Sequence, residues 1–303
     1  MGIRRSMIWL VCLGLLSVLA PARADGNYPS LRQSHDPTLQ KLLDSAIARL
    51  HLQSPARKQD LAVALVDMRD PARPRVADVN GDEMMYAASL PKIGILLAAF
   101  VEIQRGSMQF SSRLRQSLTD MIRFSSNEAA TRVMNLVGKN RVNEILASAP
   151  YRLYDPAANG GLWVGKEYGK SPAFRRDPLH HISHGATAMQ VARFYYMLET
   201  GQLLPPTLTA SMKEILSHPG IKHKFVKGLT GRDVTLFRKS GTWHEWHADS
   251  ALVETPEGNY ILVGLVQDTR GGDWLAQLAP AVDDLLHPQR VASSRGPTAP
   301  VAR

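Results

Sequence analysis

Read for hydrophobic and polar spacing, the chain divides into three stretches. Behind Asp36-Pro37, apolar residues at Leu39, Leu42, Leu43, Ile47 and Leu50 recur at helical spacing after an N-cap aspartate, which predicts an N-terminal helix. Leu61 to Val66 is apolar with poor alternation, and Arg75 to Val79 follows the turn residues Asp70-Pro71 and Pro74, so the two read as a strand pair. From Ser89 to about His218 the period becomes helical. Ile93, Leu96, Leu97, Phe100, Val101 and Ile103 define a helix apolar on most sides, and further helices are expected near 111–123, 127–137, 139–148, 187–200 and 206–217. Residues 150–186, rich in Gly, Pro and Asn, read as a long ordered loop of the kind that carries function. Strands return at Val234 to Lys239, Ala248 to Glu254 and Tyr260 to Gln267, and Asp273 to Leu286 is an amphipathic helix. No period repeats, which excludes a solenoid. The pattern predicts an α/β (α+β) protein. An antiparallel sheet from residues 25–85 and 225–286 is flanked by the terminal helices, an all-helical lobe spans 86–224, and a cleft lies between them.

Composition changes this picture mainly at the ends. Arg4 and Arg5 precede an apolar run from Met7 to Leu19, and Ala22-Arg23-Ala24 supplies a small-x-small cleavage site. These parts predict a signal peptide over 1–24 and a periplasmic or secreted protein. The run is short of the ~20 residues that span a bilayer, so no stable membrane anchor is expected. Cys12 is the only cysteine and lies in the leader, which leaves the mature chain without disulfide or thiolate ligand. Of the formal charge of +9, three arginines fall in 1–24 and three after His287, with no acid in either stretch. The body keeps no basic stripe with interleaved aromatics, which argues against nucleic acid as a partner. The tail 287–303, with Pro288, Gly296, Pro297 and Pro300, reads as disordered.

Three short patterns carry chemistry. Ser89-Leu90-Pro91-Lys92 stands at a strand-to-helix junction, with Ser89 and Lys92 three apart on one helix face. A lysine there activates the serine as a nucleophile, and the helix start offers N–H groups to an oxyanion. Ser125-Ser126-Asn127 links two predicted helices, where the hydroxyl can relay a proton and the amide can hold a substrate amide. Lys239-Ser240-Gly241-Thr242 ends a predicted strand. Its lysine and serine suit a carboxylate, Gly241 admits a close substrate backbone, and the Thr242 N–H suits an oxyanion. Taken singly, each has an ordinary reading: an N-cap serine with a chance lysine, a helix cap, a polar strand end.

Together, in this order, the three patterns resemble the motif set of class A β-lactamases and penicillin-binding proteins. "MIRFSSNEAAT", "ATAMQVARFYYMLETGQLL" and "FVKGL…LFRKSGTW" extend the resemblance over about residues 37–286. The resemblance implies an exported serine acyl-hydrolase of β-lactamase/transpeptidase-like fold that needs no cofactor or metal and acts as a monomer. Ser89 would form an acyl-enzyme, Lys92 act as base, and Ser125 pass the proton to the leaving nitrogen. Asn127, Lys239, Ser240, Gly241 and Thr242 would bind substrate, with the N–H groups of Ser89 and Thr242 as oxyanion hole. A small β-lactam or a peptidoglycan-derived acyl compound is the implied partner. β-Lactam hydrolysis is the leading expectation; a D,D-peptidase or other cell-wall amidase that releases β-lactams slowly, and a non-catalytic binder, are the alternatives.

The chain departs from the family pattern in two places. The loop 150–186 lacks the Glu-x-x-x-Asn that supplies the deacylating base in class A enzymes. Glu167, its only glutamate, is the nearest candidate, ahead of Asp155 and Asp177. The 36 positions from Ser89 to Ser125 are fewer than class A enzymes have, which implies a more open cleft. His180, His181 and His184, without a carboxylate at metal-site spacing, read as solvated loop residues, and Trp243, His244, Trp246 and His247 as either substrate contacts or packing.

Overall fold

The computed structural model describes residues 28–289. The expected signal peptide and most of the expected disordered tail lie outside the described residues.

In chain order the elements are α1 (Pro37–Arg49), α2 (Gln53–Arg57), β1 (Leu61–Asp67), β2 (Arg75–Val79), β3 (Met85–Tyr86), α3 (Lys92–Gln104), α4 (Ser112–Arg123), α5 (Asn127–Val137) and α6 (Lys139–Ala147). There follow β4 (Tyr154–Asp155), β5 (Gly160–Gly161), β6 (Trp163–Val164), β7 (His184–Ala186), α7 (Ala188–Glu199), α8 (Pro206–Leu216), α9 (Phe225–Gly228), β8 (Thr235–Trp243), β9 (Trp246–Glu254), β10 (Tyr260–Gln267) and α10 (Gly271–Leu286). Local chemistry sets several boundaries. Asp36 caps α1 through Leu39 N, Ser111 caps α4 through Leu114 N, and Thr187 caps α7 through Gln190 N.

The main sheet is antiparallel with strand order β2-β1-β10-β9-β8. Its centre explains the poor alternation of β1. Leu61, Val63 and Leu65 enter a core with Leu43, Phe225, Leu275 and Val282, while Ala62, Ala64 and Val66 enter a second core with the helices of the other side. A strand buried on both faces reads as a continuous apolar run. α1 and α10 cover one face and α7 lies across β1 and β10 on the other. β8 is the outer strand, and its free edge faces the helical lobe.

Two expectations change. The helical lobe is not all-helical, because the loop 150–186 is pinned by the sheet β3-β7-β6 and the pair β4-β5. Gly161 and Gly165 permit that pinning, since a Cβ would lie 2.2 Å from Leu153 O and 1.7 Å from Arg175 O respectively. His287, the first residue of the tail expected to be disordered, is buried, with its Nδ1 3.2 Å from Asp283 Oδ1.

Candidate active site

Ser89 is delivered by a strained turn. Ala87 N donates to His184 O on β7, and Ala88 then takes φ 49°, a left-handed conformation that costs a β-carbon residue roughly 1–2 kcal/mol. Tight bonds follow from Leu90 N to Ala87 O, Lys92 N to Ser89 O and Ile93 N to Leu90 O, so Ser89 precedes α3 by one turn and Pro91 occupies its N-cap. Leu90 and Ile93 are fully buried and anchor the turn, while Ser89 remains half-buried and its N–H takes part in none of the turn's bonds.

Lys92 is buried completely. Its Nζ donates to Ser125 O (2.6 Å) and Asn127 Oδ1 (2.8 Å), and Ser125 Oγ stands at 3.4 Å. Burial pushes its pKa down to about 7, and its place in the first turn of α3 acts in the same direction. A neutral amine has two N–H groups and one lone pair. The two shortest bonds end on acceptor oxygens, which leaves the lone pair free to take a hydroxyl proton.

Ser125 and Asn127 both reach Lys92, but not through extended backbone. Ser125 has φ 58° and Asn127 is the first residue of α5, while Ser126 between them is the helix cap, accepting from Ala129 N. Lys239 approaches Ser125 from β8, its Nζ 3.0 Å from Ser125 Oγ and 2.7 Å from Ser240 O. Burial, reinforced by the charge of Lys92, holds the Lys239 pKa well below the usual lysine value. Ser125 Oγ therefore sits between two lysines whose charges oppose each other.

The third motif lies inside β8 rather than at its end. Gly241 packs on the Ser89 turn so closely that a Cβ would be 2.2 Å from Ala87 O and 2.8 Å from Ser89 N. Only glycine brings the Ser89 and Thr242 backbones side by side. Ser240 alternates with Lys239 along the strand, and its carbonyl rather than its hydroxyl meets Lys239 Nζ.

A cleft of about 550 Å³ opens over these groups. Ser89, Asn127, Glu167 and Thr242 line it, and Lys92, Ser125 and Lys239 stand behind that lining. The remaining walls are aromatic. Lys92 Nζ lies 4.4 Å above the Tyr168 ring, His184 stacks on that ring at 4.3 Å, and Tyr86 packs edge-on against His184 and Trp246. Trp243 stands exposed at the rim, whereas Trp246 packs.

Glu167 does not turn toward Lys92. Its carboxylate bonds Lys139 Nζ (2.6 Å) and accepts from Ser171 Oγ (3.1 Å), and those contacts lower its pKa, the opposite of what a base needs. Its neighbour Tyr168 faces the lysine, with a hydroxyl that is buried and unpartnered. Asp177 is buried and ties the loop, accepting from Tyr154 Oη and His180 N. Asp155 accepts from Ala157 N. His184 corrects the expectation of three solvated histidines: it is buried, its Nε2 3.0 Å from Lys166 O, and burial pushes its pKa down to about 4. His180, four residues earlier, instead meets Asn159. Among the described residues no group of three or more His, Cys, Asp or Glu is placed to hold a metal ion.

A family model described as the beta-lactamase enzyme family matches residues 110–284, more than half of the chain. The chain belongs to the beta-lactamase enzyme family. It is accordingly a serine hydrolase of lactam or amide bonds. The matched span holds the second and third motifs of this family member and begins after Ser89, which the fold joins to them. Solved structures of the same fold include a beta-lactamase from Sphaerobacter thermophilus DSM 20745, at 16% identity and TM-score 0.64, covering 82% of this chain and 97% of that one. A beta lactamase from Xanthomonas campestris pv. campestris has 16% identity and TM-score 0.65, covering 82% and 98%. PBP-A has 17% identity and TM-score 0.64, covering 86% and 99%. No curated protein matches the chain.

Sequence reading missed two residues of this beta-lactamase-family site. Tyr168 is adjacent to the glutamate that was singled out, and a loop has no period to say which of two neighbours faces inward. Lys224, buried behind Gly241 and Thr242, stands among the ordinary surface lysines Lys222 and Lys227 and carries no motif.

Proposed function

We propose that the protein is an exported acyl-transfer enzyme of the penicillin-recognising kind that acylates Ser89 readily and releases β-lactams slowly, as a D,D-peptidase or related cell-wall amidase would. The observation that carries this reading is the Tyr168 ring lying over Lys92 while Glu167 is held by Lys139. Acylation has what it needs. Lys92, near half-neutral at pH 7, takes the Ser89 proton as Oγ attacks the amide or lactam carbonyl, and the C–N bond breaks as Ser125 hands its proton to the leaving nitrogen and is reprotonated by the Lys92 ammonium. The N–H groups of Ser89 and Thr242 receive the oxyanion, Asn127 the substrate amide, and Lys239 with Ser240 and Thr242 its carboxylate. In this reading the release of the acyl group by water is slow, because an aromatic face stands beside Lys92 and the Glu167 carboxylate is held in an ion pair with Lys139. One neighbour supports the acylation half: a mutant of PBP-A has been solved as an acyl-enzyme with penicillin G, while other neighbours are named beta-lactamases.

Intact mass of the mature protein with excess penicillin tests the reading. An adduct on Ser89 that outlasts antibiotic removal is expected. A transient adduct with rapid consumption of the drug would mean a β-lactamase with another deacylating base, and no adduct would leave the binding-protein alternative.

A further inference from the structure

We propose that Lys224 is a positioning residue of the acyl-transfer site: its ammonium, bound to the Gly241 carbonyl from behind β8, aims and polarises the peptide whose N–H is that of Thr242. The inference rests on the proposed function, in which that N–H receives the oxyanion.

Lys224 occupies a costly backbone conformation, φ 52° and ψ −121°, of the kind that persists only where its surroundings over-determine it. The surroundings do so here. The next N–H, of Phe225, donates to Asp249 Oδ2 at 3.0 Å, and Asp249 is locked by Arg238 through bonds of 2.7 and 2.8 Å. The Phe225 ring is fully buried. The Lys224 side chain then runs inward to meet β8 and β9, where its Nζ donates to Gly241 O, to Thr242 Oγ1 at 2.8 Å and to Ala248 O at 3.0 Å. Three protons meet three oxygens, which is all an ammonium can offer. Burial pushes its pKa down to about 8, so it keeps most of its charge at neutral pH.

The consequence follows from peptide geometry. Among the described residues none of the peptide bonds is cis, so the Gly241 carbonyl and the Thr242 N–H lie in one plane and point in opposite directions. A bond that fixes the carbonyl toward β9 fixes the N–H toward the free edge of β8, where Ser89 lies. A cation on the carbonyl oxygen also withdraws electrons from the amide nitrogen and strengthens its N–H as a donor. Packing alone does not hold this strand end: a hollow of about 240 Å³ lined by His223, Lys227, His247 and Asp273 opens behind Lys224 and Thr242. The three bonds reinforce the β8–β9 ladder there, where Gly241 pairs with Ala248 and Thr242 with His247.

The test compares Lys224→Met with Lys224→Arg in the full chain. It follows the maximal rate of Ser89 acylation by penicillin, the concentration that half-saturates that rate, and the infrared frequency of the acyl-enzyme ester carbonyl. Lys224→Met is expected to slow acylation by ~10²-fold, to leave half-saturation within about threefold, and to raise the carbonyl frequency as its hydrogen bond weakens. Lys224→Arg restores part of both. If the Met variant does not fold, Lys224→Gln carries the same expectation. Wild-type rate and frequency in the uncharged variant would overturn the inference and leave the function standing. So would slower acylation with weakened saturation and an unchanged carbonyl, which would mark a merely structural role. A wild-type protein that forms no adduct would overturn both.

Discussion

The two sides of Lys92 are built on opposite principles. On one side polar groups converge: Ser125 O, Asn127 Oδ1 and Ser125 Oγ lie within 3.4 Å, and Lys239 reaches the same hydroxyl at 3.0 Å. Every contact there can donate, accept or relay a proton. On the other side stands an aromatic cluster, Tyr168 against His184 against Tyr86, in which Tyr168 presents its ring face to the lysine and His184 Nε2 meets Lys166 O. On the proposed reading, one side is equipped to move protons during acylation, and the other presents water with an aromatic face. A shared fold therefore does not fix turnover. On the proposed reading, the second half-reaction depends on what a single loop turns toward the lysine.

The comparison can be broken from either side. Ser89→Ala should abolish the penicillin adduct seen by intact mass, the largest effect expected. Lys92→Met removes the base and should slow acylation by about 10²–10⁴-fold. In the wild type the acylation rate should rise with pH through an apparent pKa of about 7, as the ammonium of the Lys92–Lys239 pair loses its proton. A rate flat between pH 5.5 and 8.5 would remove Lys92 from the role. Gly241→Ala would force a Cβ into Ala87 O and Ser89 N, and a loss of ~10² in acylation is expected while the circular dichroism spectrum stays native. Tyr168→Glu converts the aromatic side to the polar kind. Release of the adduct should quicken by about tenfold or more, and the acid limb of acylation should move to higher pH because a carboxylate favours the charged lysine. Glu167→Gln, by contrast, should leave both half-reactions within about twofold of wild type, since it only loosens a surface pair with Lys139. A large effect there would restore Glu167 as the base.

What could be read in the sequence follows from how local each signal is. The helices at 112–123, 127–137 and 188–199 carry their own period and caps, and β1 carries its burial in an unbroken apolar run. Ser89, Lys92, Ser125, Asn127 and Lys239 stand in motifs whose spacing is fixed by a turn, a helix start or a strand. The five short strands that pin 150–186 were not legible, because two or three residues are too few to show alternation and β3 meets β7 from far along the chain, Met85 opposite Ala186. Tyr168 and Glu167 differ only in which way an irregular loop turns them. Lys224 gains its meaning from Gly241, Thr242 and Ala248, and nothing near it in sequence announces their approach.

The pairing of β1 with β10, from Leu61 opposite Val266 to Asp67 opposite Tyr260, has a consequence for the order in which the protein is made. All the motif residues have been synthesised by Thr242, yet the hairpin of β8 and β9 is joined to β1 only through β10, which is synthesised later. A chain ending at residue 255 would contain every motif residue yet lack the strand that joins β8 and β9 to β1. Such distant closure forms late. Susceptibility to acylation would thus switch on only when nearly the whole chain has emerged, and covalent capture by a fluorescent penicillin would report completed folding rather than mere synthesis.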